Sequence, residues 1–135
     1  MPGEKKVVLV ADDEPDAIEY VRNILEEEFQ VVGVPDGVTA LSEAKQNRPA
    51  LIILDIQMPG KDGFAIFYEL RQDPATKSIP VILLTAVTKR TGIHFSADAV
   101  QEYLGERPEA YVDKPIDPER LLEAVRRLTT PAPPK

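Results

Sequence analysis

The chain has 135 residues, 16 Lys and Arg against 23 Asp and Glu, a formal net charge of −7 and no cysteine. This length fills one core and not two, so a second catalytic or DNA-binding domain is not expected, and the acidic balance excludes the clustered cations that direct nucleic-acid binding requires. With no thiol, no apolar run near the roughly 20 residues of a membrane span and no signal-peptide h-region in residues 1–6, the expectation is a cytoplasmic protein without membrane insertion, disulfides or a thiolate metal site.

The first apolar run, residues 7–11, ends on Asp12-Asp13. It is continuous rather than alternating, as a strand covered on both faces should be. Residues 14–29 then place Ile18, Val21, Leu25 and Phe29 on one helical face, with Pro15 suited to the first turn. Residues 30–34 read as a second strand and Pro35-Asp36-Gly37 as a turn. Ala40, Leu41 and Ala44 mark the inner face of a second helix that ends near Asn47 and is closed by Arg48-Pro49.

A third apolar run, residues 51–54, leads into Asp55. Met58-Pro59-Gly60-Lys61-Asp62-Gly63 is turn chemistry, and Phe64, Phe67 and Leu70 supply the buried face of a third helix. Residues 74–80 form a loop, and the fourth run, residues 81–84, ends on Thr85. Ile93, Ala97, Val100 and Leu104 have helical spacing within residues 88–108. Residues 110–112 form a fifth strand that leads into Asp113-Lys114-Pro115. Asp117-Pro118 caps a last helix with Leu121, Leu122, Val125 and Leu128 inward. The domain is expected over residues 5–129, with residues 130–135 a Pro-rich tail or shortened linker.

Strand and helix alternate throughout, which predicts an α/β fold: a parallel sheet with helices on both faces. In such sheets ligands bind beyond the carboxyl ends of the strands, where Asp12, Asp13, Asp55, Thr85 and Lys114 fall. Crowded carboxylates repel one another and are relieved by a hard divalent cation with oxygen ligands, for which Mg²⁺ is the natural occupant and Mn²⁺ a substitute. Asp55 is the candidate nucleophile toward a phosphoryl group. The metal, the Lys114 ammonium and the Thr85 hydroxyl would then neutralise the phosphoryl oxygens.

These residues together resemble the receiver domain of two-component response regulators, in its stand-alone form. The resemblance runs from Val7 to about Leu128 and rests on Asp12-Asp13-Glu14, on Asp55 followed by Met58-Pro59-Gly60 and Asp62-Gly63, on Thr85-Ala86 and on Lys114-Pro115. It implies a flavodoxin-like (βα)5 fold, a doubly wound three-layer α/β/α sandwich with strand order 2-1-3-4-5. It also implies that Asp55 accepts a phosphoryl group from a sensor histidine kinase or histidine phosphotransfer protein. Asp13, Asp55 and the main-chain carbonyl of Gln57 would ligate Mg²⁺, with Asp12 reaching it largely through water. Thr85 and Tyr111 would form the switch, and a cis bond before Pro115 would aim Lys114 inward. No enzymatic turnover is implied beyond self-phosphorylation from a donor and slow loss of the phosphoryl group. The face formed by the 93–104 helix, the fifth strand and the last helix would bind a downstream protein or a second copy.

Bland readings exist for each residue taken singly. Asp12-Asp13 could be a helix cap and a solvated acid, Asp55 a loop acid, Thr85 a strand-terminal hydroxyl, and Tyr111 simple packing at a sheet edge. His94, Asp62, Asp113, Arg120, Arg126 and Arg127 read as surface, turn or rim residues. Two other functions share the chemistry. A phosphatase of the haloacid-dehalogenase type carries a second acid two residues after its nucleophile, where this chain has Gln57. An unphosphorylated scaffold of the same fold is the other. The chain departs from the receiver pattern in the longer separation of Thr85 from Lys114 and in Pro108-Glu109-Ala110, where Gly-Ala is usual before the fifth strand.

Overall fold

The computed structural model describes residues 5–56, 63–85, 109–113 and 116–129. Along the chain these form β1 (Lys6–Ala11), α1 (Pro15–Leu25), β2 (Phe29–Val34), α2 (Gly37–Asn47), β3 (Leu51–Asp55), α3 (Gly63–Gln72), β4 (Val81–Thr85), β5 (Ala110–Asp113) and a last helix, α4 (Pro118–Thr129). The strands make one parallel sheet in the order β2-β1-β3-β4-β5, the expected doubly wound arrangement. The predicted 93–104 helix and the 130–135 tail lie outside the described residues.

The continuous apolar runs have a direct structural cause. Along the inner strands, successive side chains enter two separate cores. Leu9, Ala11, Ile52, Leu54, Val81 and Leu83 join Ala40 and Ala44 of α2 and Ile66, Phe67 and Leu70 of α3 on one face. Val8, Val10, Leu51, Ile53, Ile82 and Leu84 join Val21 and Leu25 of α1 and Leu121 and Val125 of α4 on the other. Neither face of the inner strands meets water, so no polar alternation appears in the sequence.

Two expectations are corrected. Phe29 is not on the inner face of α1; it opens β2 and is buried there, paired with Lys6. The helix stops at Leu25, where three consecutive glutamates form a turn in which the Glu28 N–H donates to the Leu25 carbonyl. The aromatic ring then suits the half-covered edge strand. On α3, Ile66 shares the buried face with Phe67 and Leu70, whereas Phe64 packs only partly against it.

Helix ends follow local chemistry. Asp36 is the N-cap of α2, its carboxylate accepting the Thr39 N–H at 2.7 Å, and Arg48 ends that helix in the left-handed conformation (φ 41°) ahead of Pro49. Hydrogen bonds from Thr39, its main-chain N–H foremost, hold the Asp36 carboxyl below its ordinary value. A lowered carboxyl pKa means stabilisation that is present above the unfolded-state value and is lost as pH falls through the folded one. Asp36→Ala is therefore expected to lower the melting temperature by a few degrees at neutral pH. The gap should narrow in acid, and thermal melts that hold it constant down the acid limb would contradict the assignment. At α4 the expected cap is found: Asp117 Oδ1 accepts the Glu119 N–H at 3.0 Å, with Pro118 in the first turn.

Glu109, which stands where the family pattern has a small residue, has a structural task. Its Oε1 accepts the Val81 N–H at 2.7 Å and pairs with the Arg71 guanidinium at 2.6 Å. Arg71 is largely buried, lies over the Phe67 ring and also donates to the carbonyls of Lys77 and Ile79. One network thus joins the end of α3 to the starts of β4 and β5, at the sheet edge opposite Asp55.

Candidate functional site

The sheet register brings the acids together. Ala11 is opposite Leu54, so Asp12, the next residue after β1, falls beside Asp55 at the end of β3. Asp55 is in turn opposite Leu84, and Thr85 opposite Asp113. The four strand ends identified in the sequence therefore lie along one edge, with neighbouring strands spaced by about 4.8 Å.

Carboxylate oxygens of Asp12, Asp13 and Asp55 all lie within 4.8 Å of one another. Asp12 is 1% and Asp55 5% exposed, while Asp13 faces solvent. The Asp12 main-chain N–H donates to the Val34 carbonyl at 3.1 Å, and its Oδ1 accepts the Glu14 N–H at 3.0 Å. Asp12 is thus not the cap of α1. Glu14 occupies that position with no side-chain cap of its own, and Asp12 fixes its backbone. Two almost wholly buried carboxylates this close repel strongly in a low-dielectric site, and a third at the mouth adds to the negative potential. Oxygen donors of this kind, open to solvent on one side, suit a hard divalent cation.

Asp55 is held from behind by α3. The Ile56 N–H donates to the Leu84 carbonyl at 3.2 Å, and the Gly63 N–H donates to the Ile56 carbonyl at 2.9 Å. A Cβ on Gly63 would stand 2.5 Å from the Asp55 carbonyl oxygen and 2.8 Å from the Ile56 Cα. The start of α3 therefore rests directly on the Asp55–Ile56 backbone, an approach open only to glycine. The Asp62-Gly63 pair suggested a turn in the sequence, but nothing there signalled this contact.

The other expected site residues are placed only in part. The Thr85 backbone ends β4. Its side chain, like Gln57, Lys114 and Pro115, lies outside the described residues, as do Asp62, His94 and the side chain of Asp113. Tyr111 sits on β5 opposite Leu83, partly buried against the core that α2 and α3 cover. Arg126 pairs with Glu28, and Arg120 and Arg127 are exposed on α4.

Residues 8–126 match the family model described as "Response regulator receiver domain". Response regulator PleD of Caulobacter vibrioides is 36% identical over 124 residues, which cover 92% of this chain and 26% of PleD, so the chain spans about a quarter of that relative's length. Chemotaxis response regulator CheY4 of Vibrio cholerae superposes with a TM-score of 0.77 at 26% identity, covering 93% of this chain and 99% of CheY4. At 22% identity, the receiver domain of sensor histidine kinase PA1611 from Pseudomonas aeruginosa, with a magnesium ion in its active-site cleft, has the same fold (TM-score 0.75, covering 93% and 98%). The family match begins inside β1 and ends inside α4, so it runs through every described element, and the chain belongs to the response regulator receiver domains of two-component signalling.

Proposed function

We propose that this receiver is a phosphorylation-controlled binding module whose Asp55 takes a phosphoryl group from a phosphohistidine on a sensor histidine kinase or phosphotransfer protein. The observation that carries the reading is the meeting of Asp12, Asp13 and Asp55 within 4.8 Å at the carboxyl edge of the sheet. In the transfer, an Asp55 carboxylate oxygen forms a bond to phosphorus as the bond to the donor breaks, and the donor leaves with that electron pair. Asp12, Asp13, Asp55 and the Gln57 carbonyl would hold Mg²⁺, with Mn²⁺ able to replace it. The bound ion supplies positive charge against the phosphoryl oxygens. The Thr85 hydroxyl and the Lys114 ammonium take the remaining oxygens.

The product stays on the protein, so the chain is not a turnover enzyme. Its output is the added charge, about −1.5 to −2 at neutral pH, which biases Thr85, Tyr111 and the β5–α4 face toward a downstream protein or a second copy. The reading implies a cytoplasmic setting. Among the described residues no helix is long and apolar enough to cross a membrane.

Incubation with acetyl phosphate and Mg²⁺ followed by intact-mass measurement tests the proposal. One alkali-labile phosphoryl group per chain is expected. EDTA should stop incorporation and Mn²⁺ restore it, whereas p-nitrophenyl phosphate should be hydrolysed no faster than the acyl phosphate itself decays. Absence of labelling with Mg²⁺ present, or sustained ester turnover, would overturn it.

A further inference from the structure

The third helix touches the acidic site at one end and the edge of the sheet at the other. At its start the Gly63 N–H donates to the Ile56 carbonyl at 2.9 Å, and the place of a Gly63 Cβ lies 2.5 Å from the Asp55 carbonyl oxygen. At its end Arg71 meets Glu109 at 2.6 Å and donates to the Lys77 and Ile79 carbonyls at 3.1 and 3.0 Å. Between these ends Ile66, Phe67 and Leu70 are buried, and the wholly buried Thr76 hydroxyl donates to the Leu70 carbonyl at 2.7 Å, satisfying the last turn. A helix packed in this way moves as one body.

Glu109 grips β4 twice. Its main-chain N–H donates to the Val81 carbonyl at 3.0 Å, and its Oε1 accepts the Val81 N–H at 2.7 Å. It thereby seats the start of the β4–β5 ladder, in which Ala110, Tyr111, Val112 and Asp113 face Ile82, Leu83, Leu84 and Thr85. Among the described strands β5 is the shortest, with four residues, and it lies at the end of the sheet order. Short edge elements of this kind open locally at a fraction of the cost of unfolding the domain.

We infer that α3 carries the state of the acidic cluster to β5. When the Asp12, Asp13 and Asp55 oxygens gather on a divalent cation, their repulsion is relieved and the Asp55–Ile56 backbone is fixed against Gly63; the Arg71–Glu109 pair passes that restraint to the edge strand. The two states are β5 seated and β5 opened, and the cation favours the seated one. The inference rests on the divalent-cation reading of the cluster given above and not on phosphoryl transfer. The sheet itself offers a rival route, since Asp55 is opposite Leu84 and Leu84 opposite Val112.

Amide exchange of residues 110–113, followed by NMR with and without saturating Mg²⁺, separates the two routes. In the wild-type chain Mg²⁺ is expected to slow β5 exchange about five- to tenfold, the low end of ordinary coupling between sites. Glu109→Gln keeps an acceptor for the Val81 N–H and removes the charge that holds the guanidinium. Combining it with Arg71→Met leaves no buried cation without its partner. The Mg²⁺ effect on β5 should fall by about half or more in the single variant and below about twofold in the double, while the Ile56 amide remains as strongly protected by Mg²⁺ as in wild type. If the double variant does not fold, the single one decides. Glu28→Gln, which breaks the exposed pair with Arg126 on the opposite face, should leave the β5 effect whole. An undiminished effect in the folded Arg71–Glu109 variants assigns the coupling to the strand ladder and overturns the role of α3, as does a wild-type β5 indifferent to bound Mg²⁺. Calorimetry on the same samples reads binding: without it the metal reading falls and this inference with it, whereas lost coupling with binding intact leaves the proposed function standing.

Discussion

Asp55→Asn is expected to reduce phosphoryl incorporation to background while the protein folds as well as, or better than, the parent. Asparagine has the shape of aspartate, so the end of β3, its register with β4 and the Ile56 and Gly63 hydrogen bonds are kept. What disappears is the anionic oxygen that the proposed transfer requires, together with one of three mutually repelling carboxylates within 4.8 Å. Two consequences follow in opposite directions. Without metal, the variant should melt no lower than the parent, since a charge that is 5% exposed has been removed from beside Asp12. With metal, affinity should fall by at least about tenfold, because the site has lost a donor and a charge. Mass measurement after acetyl phosphate treatment reads the first effect, and calorimetry with melts in EDTA and Mg²⁺ reads the others. Incorporation that persists in the variant would move the phosphoacceptor to another residue.

The acids of this site were legible in the sequence because each followed a run that had no polar alternation. That pattern marks a strand buried on both faces and so identifies the carboxyl ends that share an edge. The same reasoning went astray at Phe29, where helical spacing continued one turn past the real end of α1. Spacing cannot register that Glu26, Glu27 and Glu28 form a turn, nor that Phe29 has a strand partner in Lys6. Ile66 was passed over because Phe64 and Phe67 offered an equally regular stripe. Contacts set by chain crossing left no local mark at all. The Tyr20–Ile116 bond, the Arg71–Glu109 pair and the approach of Gly63 to Asp55 each depend on where a distant or turned-back segment arrives. Glu109 could be seen as a departure from the family pattern, but its pairing with Arg71 and the Val81 N–H needed the fold.

Gly63→Ala is expected to damage the site more than the fold, and the reason lies in which atoms can give way. The new Cβ would meet only backbone: the Asp55 carbonyl oxygen at 2.5 Å, the Ile56 Cα at 2.8 Å and the Asp55 carbonyl carbon at 3.0 Å. On one side, β3 is held by β1 as far as Leu54 and by β4 as far as Asp55. On the other, α3 is fixed by Ile66, Phe67 and Leu70, each no more than 1% exposed, and by the Arg71 network. Neither element can retreat as a whole, so the displacement concentrates at the Asp55–Ile56 peptide, where the pairing with β1 has already ended. Overpacking of this kind costs about 1–3 kcal/mol of stability. A shift near an ångström at Asp55 should slow the proposed transfer by up to about a hundredfold. Mg²⁺ affinity should fall as well, because the Asp55 oxygens leave the cluster they share with Asp12 and Asp13. Gly33→Ala is the control. There, on the edge strand β2, the added Cβ meets the Ile18 side chain, Cγ2 at 2.4 Å, so the strain falls on the packing of one side chain of α1 and not on the Asp55 backbone. It should lower the urea midpoint while leaving Mg²⁺ affinity and the phosphorylation rate of the folded protein unchanged. If Gly63→Ala behaves like Gly33→Ala, losing stability with the site intact, then the closeness of α3 to Asp55 serves packing alone and the positioning argument for Gly63 fails.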